Sequence, residues 1–143
     1  MNQNPNYDLS SSSYEIIDEN SNKIKDYTVK ERELKYTDLL KENVIGCSTV
    51  IGKSELLKHN QFKSDFSHED FVLWLSLLGK GKKIYTMNKI LVRYRYNKGS
   101  RSFNKVKAAH DRWKVLRESE KFNVFKAFYY MCFYFFNGLK KYK

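Results

Sequence analysis

The sequence contains little proline, glycine or cysteine: one, six and two residues among 143. Because Pro5 is the single proline, no proline-rich linker divides the chain, and this length is enough for one domain with its own core. Cys47 and Cys132 lie far apart among small or apolar neighbours, so we expect two packed thiols rather than a disulfide framework. This cysteine usage indicates a reducing compartment.

Self-contained catalytic motifs are also absent. The sequence has no G-x-x-x-x-G-K-[ST] phosphate loop, no G-x-G-x-x-G, no G-x-S-x-G and no H-E-x-x-H. None of the three histidines pairs with a cysteine at zinc-site spacing. We therefore expect no metal site and no cofactor held by this chain alone.

The N-terminal segment lacks the basic region and the apolar stretch of a secretory signal. Residues 1–11 are polar and rich in Asn and Ser, which predicts a flexible lead, with ordered structure beginning near Ser12. We expect the protein to start in the cytoplasm.

Short extended and helical patterns alternate along the rest of the chain. Residues 47–51 are small and β-branched, which suits a buried strand or a close-packed loop. The expected elements are a hairpin of 14–17 and 24–29, helices over 36–43, 53–59 and 103–120, and strands over 84–87 and 90–94.

The clearest helix signal is the motif SHED (67–70) in front of the apolar run 71–78. Ser67 can cap this helix and Gly79 can end it. Asp70 falls in the first turn, where the positive end of the helix dipole favours an ionised carboxylate, the form that a general base needs. First-turn carboxylates cap helices far more often than they catalyse, so this pattern by itself leaves both roles open.

Five short motifs follow one another in a characteristic order. They are 34–40 (LKYTDLL), 43–50 (NVIGCSTV), 68–74 (HEDFVLW), 91–95 (LVRYR) and 100–102 (SRS). As a series, over about residues 12 to 118, they resemble family 2 glycosyltransferases of bacterial surface-polysaccharide pathways. The resemblance implies an α/β fold, in which residues 12–120 are the C-terminal, acceptor-side part of a GT-A (Rossmann-like) domain whose N-terminal nucleotide-binding half is missing.

The HEDFVLW motif carries the catalytic expectation. In the family that it resembles, the aspartate removes the proton from the acceptor hydroxyl as that oxygen attacks the anomeric carbon with inversion, which makes Asp70 the expected base. Glu69 and His68, in the same motif, are expected to help bind and position the acceptor. Trp74 matches the motif too, and we expect it to support the helix rather than to stack on sugar.

Two other motifs imply further contacts with substrate. Ser48 and Thr49 match the small polar segment that lines the acceptor side of the family, although an ordinary buried strand fits them equally. Tyr94 and Arg95 match the end of a late strand where a cation could face the diphosphate of the donor. The alternative for Arg95 is a surface arginine on an alternating strand.

The resemblance is incomplete at one important point. Family members carry an Asp-x-Asp motif that holds Mg²⁺ or Mn²⁺ against the nucleotide-sugar, and no such motif occurs in this sequence. We expect the metal, the nucleotide-sugar and the glycan or lipid-linked acceptor to be handled only with the missing half. That half could belong to a partner chain, a homo-oligomer is possible, and the chain alone is expected to be inactive.

The C-terminal segment 121–143 is rich in aromatic residues and lysines, which predicts an amphipathic helix. Its apolar run, 127–136, is too short to span a bilayer, which takes about 20 residues. We expect it to lie on the inner face of the cell membrane, because aromatic rings and lysines settle at the headgroup level. The alternative is packing on the missing half or on another copy of the chain.

The formal net charge of +11 supports a rival interpretation. A basic chain attracts phosphate-bearing partners, and a nucleic-acid-binding module is one such protein. The positive charge is scattered and no recognition motif occurs, so we expect no nucleic acid partner. A non-catalytic scaffold for membrane or partner binding is the second alternative.

Overall fold

The computed structural model describes residues 6–96 and 104–141, the last three through their backbone only. The chain has a mixed α/β fold, as predicted. Its strands are β1 (Leu9–Ile17), β2 (Lys23–Tyr27), β3 (Arg32–Glu33), β4 (Ile51–Gly52) and β5 (Ile84–Arg95). Its helices are α1 (Tyr36–Lys41), α2 (Ser54–Lys58), α3 (Glu69–Gly79), α4 (Lys105–Lys114) and α5 (Val124–Lys141), with a 3-10 turn at Cys47–Thr49 and a π-helical turn at Val115–Ser119.

Strand β1 is the centre of the sheet. The strand order is β2-β1-β5-β3, with β1 parallel to β5 along its whole length and antiparallel to β2. The short strand β4 also pairs with β1, at Leu9 and Ser10, so it shares with β2 the edge that β5 does not occupy. Residues 9–13 of β1 are buried even though four of them are serines.

The predicted hairpin is confirmed, but its first strand starts earlier than Ser12. Strand β1 begins at Leu9, whose side chain is fully buried. The preceding residue, Asp8, fixes the start of the strand: its carboxylate accepts a hydrogen bond from Lys83 N at 3.0 Å and pairs with the Lys53 ammonium at 3.2 Å. The Lys83 hydrogen bond, followed by Lys53, lowers the pKa of Asp8.

Strand β5 runs unbroken where the sequence predicts two strands. Its pairing with β1 shifts in register, so that Ser12 faces Met87 while Ser13 faces Ile90. The polar residues between Met87 and Ile90 are therefore accommodated as an irregularity in one strand rather than as a turn.

Helix α3 supplies the largest share of the core. Its buried side chains are Phe71, Val72, Leu73, Trp74, Leu75 and Leu77. The helix ends at Gly79 as predicted, but the expected cap by Ser67 is wrong, because the helix begins at Glu69 and His68 occupies the capping position. Asp70 instead accepts a hydrogen bond from the backbone N–H of Phe71 at 2.7 Å.

A buried arginine joins the helices. Arg112, on α4, is 4% exposed and donates a hydrogen bond to the Leu40 carbonyl at the end of α1, at 2.7 Å. Its guanidinium lies 4.5 Å from the ring centroid of Phe71 on α3 and 4.9 Å from that of Tyr134 on α5. Burial lowers the pKa of Arg112 to about 10, so the side chain is still a cation at neutral pH.

The C-terminal aromatic helix is confirmed as α5, which packs Ala127, Tyr130 and Met131 against the core. The predicted helix over 103–120 is divided into α4 and the π-helical turn, and residue 103 lies outside the described residues. Across the described ranges, no helix combines the length and the apolar character that crossing a membrane requires.

Candidate functional site

A cavity of ≈ 280 Å³ opens beside the first turn of α3. Strands β1, β2 and β5 form one side of it, and the segment that follows α1 forms the rim. The lining residues are Tyr14, Tyr27, Asn43, Val44, Ile45, Gly46, Cys47, Ser48, Thr49, Asp70 and Tyr94.

The rim is held against β1 by hydroxyl groups. Thr49 Oγ1 donates to the Gly46 carbonyl at 2.8 Å and lies 2.8 Å from Ser11 Oγ on β1. A larger residue at position 46 would crowd β1, because a Cβ atom there would lie 3.3 Å from the Tyr14 ring and the ring would have to shift slightly. Thr49 is buried beneath the rim, while Ser48 and Cys47 are exposed on it, so the expectation of a packed thiol is wrong for Cys47.

Three tyrosines form the opposite side of the cavity, which we call the tyrosine wall: Tyr14, Tyr27 and Tyr94. The ring centroid of Tyr14 lies 4.9 Å from that of Tyr27 and 5.7 Å from that of Tyr94. The Tyr27 hydroxyl donates to Glu42 at 3.3 Å, and burial, followed by the Glu42 charge, raises the pKa of Tyr27. Tyr27 therefore stays protonated at physiological pH and keeps its hydroxyl hydrogen.

The sequence alone did not single out Tyr14 and Tyr27. The predicted hairpin contained a signal that could have found them, since Tyr14 and Tyr27 face each other across β1 and β2. Cross-strand aromatic pairs share one face of a sheet, so the hairpin register would have predicted two adjacent rings.

Carboxylates make the α3 end of the cavity negative. Asp70 lines the cavity, as does Cys47 on the rim. Partial burial raises the pKa of the Cys47 thiol, and the charges of Asp70 and then Glu69 raise it further. A carboxylate beside a cavity with hydroxyl groups and aromatic faces can accept a proton from a bound alcohol.

This electrostatic arrangement predicts the reactivity of Cys47. The thiolate is the form that reacts, so removing the Asp70 charge should lower the Cys47 pKa and increase its rate of alkylation at pH 7.5. We expect Asp70→Asn to react several-fold faster with iodoacetamide, in a Cys132→Ser background that leaves Cys47 as the single thiol. Asp65→Asn is the matched control; equal rates in the two variants would mean that Asp70 does not act on Cys47.

The structure brings four of the predicted site residues together. Asp70, Ser48, Thr49 and Tyr94 all line the cavity, although they come from different parts of the chain. Glu69 adjoins it on the first turn of α3 and acts on Cys47 through its charge.

The other predicted site residues lie outside the lining. His68 directs its Nε2 atom to the Ala108 carbonyl, 3.4 Å away. Trp74 is buried in the core with its ring edge-on to Phe62, and its indole N–H has no hydrogen-bond partner among the described residues. Trp74 thus anchors α3 in the core.

Arg95 fastens the turn between β1 and β2. Its guanidinium donates to the carbonyl groups of Asp18 and Glu19 at 2.9 and 2.8 Å. Its expected contact with a donor diphosphate stays a prediction, as does the motif 100–102, which lies outside the described residues. Within 6–96 and 104–141, no three His, Cys, Asp or Glu side chains converge as metal ligands.

Comparison with known proteins identifies relatives that are named as glycosyltransferases. No protein-family model matches the chain. The chain is 35% identical over 128 residues to TuaG of Bacillus subtilis (strain 168), a glycosyltransferase named for teichuronic acid biosynthesis, covering 90% of this chain and 51% of TuaG. It is 39% identical over 131 residues to WfgD of Escherichia coli, a UDP-Glc:α-D-GlcNAc-diphosphoundecaprenol β-1,3-glucosyltransferase, covering 90% of this chain and 49% of WfgD.

A third relative, WfaP of Escherichia coli, bears the same activity name as WfgD and is 40% identical over 75 residues, 52% of this chain and 30% of WfaP. The chain spans about half the length, or less, of these curated relatives.

Proposed function

We propose that this chain, a homologue of glycosyltransferases in bacterial surface-polysaccharide pathways, forms the acceptor-side part of an inverting GT-A enzyme of family 2 and is inactive alone. The supporting observation is the meeting of Asp70, Ser48, Thr49 and Tyr94 at one cavity. The substrates would be a nucleotide-sugar and a lipid-linked glycan acceptor at the inner face of the cell membrane.

In this proposal the acceptor hydroxyl enters the cavity and loses its proton to Asp70. The oxygen then attacks the anomeric carbon of the donor sugar, the bond from that carbon to the diphosphate breaks, and the configuration inverts. The hydrogen bond from Phe71 N to Asp70 Oδ1 at 2.7 Å fixes the carboxylate at the start of α3. A fixed carboxylate near the attacking oxygen is what general base catalysis requires.

The tyrosine wall would bind the acceptor ring. Aromatic faces pack against the C–H faces of a sugar, and Tyr14, Tyr27 and Tyr94 provide such rings. The cavity volume of ≈ 280 Å³ is at the small end of ligand pockets, which run from about 300 to 1,000 Å³. This size favours one acceptor ring over an oligosaccharide.

The donor side needs another part of the enzyme. The described residues offer no ligand set for Mg²⁺ or Mn²⁺, so neutralising the departing diphosphate is not a step that we assign to this chain. A second segment or partner chain with a nucleotide-binding site would supply it.

A chimera tests this division of labour. We would replace the 131-residue stretch of WfgD that this chain matches with the chain itself, and measure glucose transfer from UDP-Glc to a GlcNAc-diphospholipid. We expect transfer by the chimera and none by the chain or by the remaining part of WfgD alone. Transfer by the purified chain alone would contradict the proposal, as would a folded chimera that binds UDP-Glc but shows no transfer.

A further inference from the structure

Helix α5 has two contrasting faces. One face packs on the core through Ala127, Tyr130 and Met131. The other carries a row of exposed rings, which we call the aromatic stripe: Phe125, Phe128, Tyr129, Phe135 and Phe136, with exposures from 52% to 86%. Their spacing of three, four and seven residues aligns them along one side of the helix. Contiguous exposed apolar surface of this kind marks an interaction site.

Positive charge borders the aromatic stripe. The sequence of α5 contains three lysines and no aspartate or glutamate. Lys126 lies with its ammonium 4.0 Å from the Phe122 ring centroid, and Lys41 lies 5.1 Å from that of Phe133. Since Lys126 and Phe133 are seven residues apart, both cations lie along the same border of the helix.

We infer that the aromatic stripe binds an anionic lipid bilayer, with α5 lying flat in the headgroup layer. Rings and lysines together are the side chains that settle at this depth, and each lysine near an anionic surface strengthens binding. The helix has 18 residues and is therefore about 27 Å long, which gives the stripe several turns of contact.

The same helix connects the bilayer to the cavity. Asn137, near the end of α5, donates to the Lys41 carbonyl at 3.4 Å, and α1 ends at Lys41. Asn43, two residues further on, lines the cavity and so lies within about 7 Å of Lys41 along the chain. A bilayer under the stripe would thus present the headgroup of a lipid-linked acceptor close to the cavity rim. This last step rests on the proposed function, whereas bilayer binding does not.

Vesicle co-sedimentation tests the inference. The probe is vesicles of phosphatidylglycerol and phosphatidylcholine in equal parts, compared with vesicles of phosphatidylcholine alone. We expect the chain to sediment with the anionic vesicles and to be released as salt rises. The double variant Phe128→Ser/Phe136→Ser should bind about tenfold or more weakly. The matched control is Ile24→Ser/Leu91→Ser, which removes two similarly exposed apolar side chains from the sheet.

Several outcomes would overturn the inference. They are failure of the chain to bind anionic vesicles, equal binding to both vesicle types, and equal binding by the stripe variant and the control. A chain that sediments as a dimer without lipid and becomes a monomer in the stripe variant would show that a second copy covers the stripe. Asp70→Asn should bind vesicles like the unaltered chain, because Asp70 lies at the cavity and not on α5. Vesicle binding and glycosyl transfer are therefore tested separately. A failed vesicle experiment does not contradict the proposed transfer, and failed transfer does not contradict bilayer binding.

Discussion

Asp70→Asn is expected to lower glucose transfer by the WfgD chimera by about 10²- to 10⁴-fold, the usual contribution of a general base. The asparagine oxygen can still accept the hydrogen bond from Phe71 N, so the first turn of α3 should keep its structure. The amide cannot take a proton from the acceptor hydroxyl. The loss should therefore fall on kcat, with a smaller effect on the KM for the acceptor.

The control for this experiment is Asp65→Asn, which removes an exposed carboxylate outside the cavity lining and should leave transfer within about twofold. Both variants should unfold at the same urea concentration as the parent chimera. If Asp70→Asn retains transfer within about tenfold while it stays folded, Asp70 is not the base, and the scaffold interpretation gains support.

Arg112→Ala is expected to lower the free energy of unfolding by about 2 to 4 kcal/mol. The substitution removes contacts to the rings of Phe71 and Tyr134 and leaves the Leu40 carbonyl without its donor. It also leaves a void among three helices. Relief of the buried cation offsets part of this loss, which is why we expect no larger value.

Urea unfolding of the chain, followed by far-UV circular dichroism, measures the effect. Arg112→Lys should recover little stability, because an ammonium lacks the planar group that stacks between two rings. Arg93→Ala is the matched control: Arg93 is exposed and pairs with Glu15 at the surface, so its loss should cost less than about 1 kcal/mol. A loss below this value for Arg112→Ala would mean that the buried arginine does not join the helices.

Local patterns predicted the elements whose stability is local. The polar turn between two β-branched segments predicted the hairpin of β1 and β2, and the apolar run closed by Gly79 predicted α3. The capping prediction failed at Ser67 because several residues of SHED can occupy the position before a helix, and their order does not decide which one does.

These local patterns could not predict the pairing of strands that lie far apart in the sequence. Leu9 looked like part of a polar lead, because its burial depends on β4 and β5, which pair with it from far along the chain. The polar residues between Met87 and Ile90 separated two predicted strands, yet β5 pairs with β1 on both sides of the irregularity and forms one strand. Arg112 lies on a charged helix, and nothing local distinguishes it from the exposed cations around it.

Sequence motifs predicted the candidate site only in part as well. The motif order indicated Asp70, Ser48, Thr49 and Tyr94, which meet at the cavity, but the same late motif also indicated Arg95, which is bound to the turn after β1. The tyrosine wall depends on the register between strands, which motifs do not contain.

Protection of Cys47 is the most direct test of the central claim that the cavity beside Asp70 receives the acceptor sugar. The measurement is the rate of Cys47 alkylation in the Cys132→Ser chain, with and without a soluble form of the acceptor for which the relative WfgD is named, a GlcNAc-diphosphate carrying a short alkyl chain. We predict that the acceptor slows alkylation and that Tyr94→Ala, which removes one ring of the tyrosine wall, weakens this protection. An alkylation rate that the acceptor leaves unchanged at every concentration up to its solubility limit would contradict the claim.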